Sequence, residues 1–156
     1  MTTESNGQLR SQELPTLYTT LGYAGAIPFA AGAMAAVTLS DPSMKQFVER
    51  ALVGYGAVIL AFLGAVHWGL MLARPDARLR RILIGGVLPS LIGWIALMLP
   101  ASQALALEIV AFGGFWLYEH RVLGPRVLPE GYLGLRRMLT LSVCALLTLA
   151  LIGGSA

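Results

Sequence analysis

Five apolar stretches, separated by polar or proline-containing gaps, run through the chain: Leu17 to Leu39, Ala51 to Ala73, Ile82 to Leu99, Ala104 to about Tyr118, and Met138 to Ile152. A membrane-spanning helix needs ~20 mostly apolar residues. The strands of a membrane barrel would alternate apolar and polar positions, and these stretches do not alternate. The pattern predicts an all-α integral membrane protein, a five-helix transmembrane bundle forming one domain over residues 17–156. A flexible polar tail over residues 1–16, with Ser5, Asn6, Gly7 and Gln8, precedes it.

The gaps set the connections. Asp41-Pro42-Ser43 follows the first stretch, and Arg74-Pro75-Asp76 closes the second, where proline cannot continue a helix. Pro100-Ala101-Ser102 is so short a turn that the third and fourth stretches must be antiparallel neighbours. The gap after Tyr118, with Gly124-Pro125 and Pro129-Glu130-Gly131, reads as an irregular juxtamembrane loop. The first stretch is long, contains Pro28 and follows a tail bearing Glu4 and Glu13 beside Arg10. It therefore reads as a retained span rather than a signal peptide.

Charge then orients the bundle. Arg10, the group Arg74, Arg78, Arg80 and Arg81, and the group Arg121, Arg126, Arg136 and Arg137 all fall on one side. The other side holds only Lys45 and Arg50. Positive residues in short loops stay cytoplasmic, which predicts the N-terminus inside and the C-terminus outside. The same distribution explains the net charge of +3. The cations flank spans instead of lining one soluble face, so no nucleic-acid partner is expected.

Composition agrees. The chain is 56% hydrophobic and 12% charged, with a mean hydropathy of +0.72, whereas soluble domains carry about 25% charged residues. A water-facing surface cannot be built from this chain. Cys144 is the single cysteine, so an internal disulfide is excluded.

Lipid tails remove the hydrophobic drive between helices, and close backbone packing takes its place. Gly85, Pro89 and Gly93 recur at every fourth residue of the third stretch, beside Gly86 and Ser90, and Gly64 on the second offers a partner surface. Intrachain packing is the plainer reading of this stripe; a homodimer face is the alternative.

Ionisable groups inside a span are costly and face protein or water, so they are functional candidates. His67 lies past the middle of the second stretch, Glu108 in the outer half of the fourth, and Glu119 near the cytoplasmic end of the fourth beside His120. At ~1.5 Å per residue, His67 and Glu119 lie within ~5 Å of the same depth, and Glu108 is ~10 Å or more away. A His67–Glu119 hydrogen bond is therefore within reach, with Glu119 orienting the ring. The alternative has Glu119 reaching up to the headgroups and His67 bonded to a backbone carbonyl. Trp68 and Trp116 suit aromatic belts, and Trp94 suits belt or core. No catalytic residue and no metal site can be assigned: there is no zinc-ligand spacing, no serine–histidine–aspartate ordering and no phosphate loop.

Three stretches carry a family resemblance: Leu21-Gly22-Tyr23-Ala24-Gly25-Ala26-Ile27-Pro28-Phe29; Tyr55 to Gly69, ending in His67-Trp68-Gly69; and Val87-Leu88-Pro89-Ser90-Leu91-Ile92-Gly93-Trp94. Pro129, Tyr132, Leu135-Arg136 and Leu139-Thr140 fit a fourth pattern. From about Leu21 to Leu149 the chain resembles the domain of unknown function 3429 family, whose eukaryotic members are the mitochondrial transmembrane protein 69 group. Gly131 departs from the pattern, which has tryptophan there. The five-span, tryptophan-rich translocator-protein group is set aside, because this chain has three tryptophans and no tryptophan–proline loop motif.

The resemblance brings no reaction with it. Its mitochondrial branch implies an energy-transducing membrane, hence a bacterial inner membrane and a multi-pass protein. The expectation is a small non-enzymatic protein, an accessory or assembly subunit of a larger respiratory or photosynthetic complex, with bilayer lipid as surroundings and no cofactor required. The runners-up are a small proton-linked transporter or channel using His67 and Glu119, and a haem- or quinone-binding redox protein.

Overall fold

In the computed structural model, residues 16–73, 80–122 and 130–154 are described. They form six helices: α1 (Thr16–Ala24), α2 (Ile27–Thr38), α3 (Pro42–Ala73), α4 (Arg80–Met98), α5 (Ala101–Val122) and α6 (Glu130–Gly154). No strand occurs among the described residues. Thr16–Thr38, Pro42–Ala73, Ala101–Val122 and Gly131–Gly154 are each long and apolar enough to cross a membrane, and Leu83–Met98 is a shorter apolar helix beside them. The protein is a helical membrane bundle. The predicted 1–16 tail lies, apart from Thr16, outside the described residues.

The helices from α2 to α6 pack as a closed ring in chain order, α6 returning to α2, with α3 also touching α5 across the middle. Successive helices run in opposite directions. At one end Arg50 of α3 donates to the Leu99 carbonyl just past α4, at 2.7 Å, and Gly153 of α6 packs on Ala36 and Val37 of α2. At the other end, late α3, late α5 and early α6 meet. Phe29, Leu60, Phe112 and Leu147 fill the core between these levels, each at most 1% exposed.

Three boundaries differ from the hydropathy reading. The first span is two helices, broken at Gly25–Ala26. Pro28 has no N–H to give to the carbonyl four residues back, which weakens the helix at this point. In a membrane a freed backbone group must find an internal partner, and the Tyr55 hydroxyl of α3 donates to the Gly25 carbonyl at 2.9 Å.

Helix α3 begins at Pro42, well before Ala51. At 32 residues it is ~48 Å long, so it exceeds the ~30 Å hydrocarbon core. Its start is capped: Asp41 Oδ1 accepts from the Met44 N–H at 2.8 Å and from the Ser43 hydroxyl at 2.6 Å, with proline at the first helical position as capping rules favour.

The largest correction concerns α6. Residues 130–137 belong to the helix and not to an irregular loop. The loop reading rests on Gly124-Pro125 and Pro129-Glu130-Gly131, and the helix begins within the last of these, at Glu130. Arg137 is exposed, but Arg136 is 5% exposed and turned into the bundle.

Candidate functional site

The α4 stripe faces inward. Gly86, Pro89 and Gly93 are buried, and a Cβ at Gly64 would overlap the Gly86 carbonyl, so the two backbones touch. A Cβ at Gly93 would lie 3.0 Å from the Ala57 Cα. Gly85 is covered by the Tyr118 hydroxyl of α5. The small residues are consumed in packing α4 onto α3 and α5, as intrachain packing requires. A Cβ at Gly86 would lie 3.0 Å from the His67 Cβ, so the glycine leaves the room that His67 occupies beside α4.

Helix α5 buries one face along its whole length: Ala104, Leu105, Glu108, Ala111, Phe112, Phe115 and Glu119. The helical repeat thus aims both carboxyls inward, eleven positions apart and so ~16 Å along the axis. Phe112 and Phe115 stand between them.

At the lower level, Glu119 (1% exposed) meets His67 (1%) and Arg136. Arg136 Nε lies 3.0 Å from Glu119 Oε2. The contact pairs the charges, although the N–H is not aligned on the oxygen well enough for a hydrogen bond. Arg136 Nη1 donates to Thr140 Oγ1, one turn further along α6, at 2.8 Å. The Tyr132 hydroxyl stands beside the guanidinium.

His67 Nε2 is 3.9 Å from Glu119 Oε1, close but beyond hydrogen-bond length. On the other side of the ring, Nδ1 sits 3.3 Å from the Leu63 carbonyl, which can only accept, so that contact requires the proton on Nδ1. Phe115 and Tyr118 flank the ring, with centroids 5.1 and 6.3 Å away.

Both sequence readings are therefore half met. His67 and Glu119 do share a depth and a neighbourhood, yet the histidine bonds its own backbone. Glu119 does not reach the headgroups; it is buried and paired with Arg136. Arg136 and Thr140 were missed as site residues. Their spacing of four puts them on one helical face running into an apolar helix, and that was the available signal.

Glu108 is fully buried, and neither of its oxygens has a hydrogen-bond partner among the described residues. Gly56 of α3 leaves the space its carboxyl occupies; a Cβ there would overlap it. Trp68 and Trp94 lie half-exposed on the outside of the bundle. Trp116 stacks on the exposed His120 at 5.7 Å. Among the described residues, no three His, Cys, Asp or Glu side chains group as metal ligands would.

Comparison with known proteins completes the picture. No solved structure matches. A curated relative, "Transmembrane protein 69" of Xenopus tropicalis, is 34% identical over 155 residues, covering 94% of this chain and 57% of its own length. The chain thus spans little more than half of that relative. Residues 14–152 match the family described as "Protein of unknown function (DUF3429)". With its helical membrane bundle and a match over nearly its full length, the chain belongs to the DUF3429 family of transmembrane proteins.

Proposed function

We propose that the chain is a non-enzymatic, multi-pass protein of a bacterial inner membrane and serves as an accessory or assembly subunit of a larger energy-transducing complex. The observation that carries this reading is how the buried polar groups are distributed. They form two closed islands, Glu108 against Gly56 and Arg136–Glu119–His67, with Phe112 and Phe115 between them. A carrier needs polar groups that hand an ion or proton along. Here the strongest pair is charge-matched and tied to Thr140, which suits fastening α5 to α6. The gaps between spans are short, which suits partners that meet the protein within the membrane.

The test is purification from native membranes in a mild detergent, followed by native electrophoresis and identification of co-purifying chains. Recovery in a larger assembly with respiratory or photosynthetic subunits is the expected result. Isolated monomer alone would refute it. Proton flux in proteoliposomes that disappears with His67→Ala would favour a proton-linked transporter instead. A haem spectrum would favour a redox protein.

A further inference from the structure

Of the described helices, α1 is the most weakly held. None of its residues is buried, and Leu17, Tyr18, Leu21 and Tyr23 are between 47% and 68% exposed. It leans on α6, where Gly22 lies over Leu135 and Leu139 and the Tyr18 and Tyr132 ring centroids are 6.4 Å apart. From α3 it stands off. A cavity of about 240 Å³ lies between Tyr18 and Leu21 of α1 and Phe62, Leu63 and Val66 of α3, with Arg136 in its wall.

The root of α1 allows it to move as a unit. Gly25 closes the helix on the Leu21 carbonyl at 3.1 Å, Ala26 turns back to Tyr23 at 2.9 Å, and α2 restarts with Ala30 on Ala26 at 3.1 Å. Pro28 has no N–H for the Ala24 carbonyl, so the backbone bond that would stiffen this joint is missing. One side chain clamps it: the Tyr55 hydroxyl of α3 donates to the Gly25 carbonyl at 2.9 Å. Lipid tails are as apolar as leucine, so α1 gains no hydrophobic energy by choosing protein over lipid. With α1 standing off, acyl chains can fill the gap; with α1 against α3, its own side chains do. The balance between the two fillings therefore falls to packing and to the Tyr55 bond.

We propose that α1 is a hinged flap, pivoting at Gly25–Ala26, that closes this groove against Phe62 and Val66 of α3 and is held back by the Tyr55 latch. Closure lays an apolar layer over the wall that contains Arg136, and so shields the Arg136–Glu119 pair from the lipid-facing side. The device stands apart from the accessory-subunit reading, since it needs no protein partner.

The test is a distance measurement by pulsed electron spin resonance on the full chain in phospholipid vesicles, with Cys144→Ser as background. Nitroxide labels on Leu21→Cys and Phe62→Cys sit on the two rims of the groove, both at positions more than 60% exposed. Labels on Phe62→Cys and Leu141→Cys, also exposed, report α3 against α6 as the control. Two populations are expected across the groove and one for the control pair. Tyr55→Phe removes the latch, and should raise the shorter-distance population about two- to tenfold, the factor that corresponds to one hydrogen bond between uncharged groups. A single Leu21–Phe62 distance in the wild-type background, as narrow as the control, would overturn the flap whether or not Tyr55→Phe folds. So would an unchanged ratio in folded Tyr55→Phe, or a control pair that splits along with the groove pair.

Discussion

Glu119 and Arg136 show how much one partner changes the cost of a buried charge. Removing one member of a buried ion pair costs about 3–5 kcal/mol, because it strands the other, whereas replacing both by apolar groups is often neutral. Arg136→Met alone should therefore lower the unfolding free energy by about that amount, and adding Glu119→Met should restore most of it. Thermal melts in detergent, arranged as a double-mutant cycle, would check this. The coupling between Glu119 and Arg136 should exceed that between Glu119 and His67, since the second pair stands at 3.9 Å, beyond hydrogen-bond length. At Gly56 the argument is steric. Gly56→Ala should destabilise because its methyl meets the Glu108 carboxyl and that side chain is fully buried, and Glu108→Ala in the same chain should recover stability. Equal melting points for Gly56→Ala and wild type would contradict this packing. His67, Glu108 and Glu119 were legible from sequence as charges inside apolar runs. Arg136 was not, because a charge two residues before an apolar run reads as its flank unless its partner is known.

At the scale of the helix, the α3–α4 pair is held by backbone contact. Gly93→Leu should impair folding far more than Leu97→Ala, because Gly93 touches the Ala57 backbone while Leu97 is 49% exposed. Purification yield and melting temperature of the two variants in detergent check it. The projecting start of α3 makes a pH prediction outside the membrane. The Ser43 hydroxyl first, then the Met44 N–H, stabilise the charged Asp41 and hold its pKa below the usual 3.8. The cap's contribution is thus present above the ordinary carboxylate range and lost as pH falls through the lowered value. Hydrogen exchange at Met44–Phe47 should accelerate at that point, and Asp41→Ala should show the faster exchange already at neutral pH. The helix type of every element was legible from run length. The starts of α3 and α6 were not, since polar residues at a helix end look like loop until a cap or a buried partner accounts for them.

For the whole molecule, the alternation of helix directions sorts the cations by end. Lys45 and Arg50 lie at the end that holds Gly154, and Arg121 and Arg137 at the other. A reporter fused after Ala156 should read as periplasmic and one placed between Arg74 and Arg81 as cytoplasmic; reversed labelling would overturn the charge argument. The all-helical class, and the separation of Lys45 and Arg50 from Arg121 and Arg137, were determined by the sequence alone. Hydrocarbon requires each crossing segment to satisfy its own backbone, so each span is readable locally, one apolar run at a time. Tertiary structure alone decided that Arg136 is a core residue, that the first span breaks where Tyr55 can bond the Gly25 carbonyl, and that Glu119 turns to Arg136 more than to His67. In each case the free energy of a polar group depends on a partner contributed by another helix, and no local pattern along the chain names that partner.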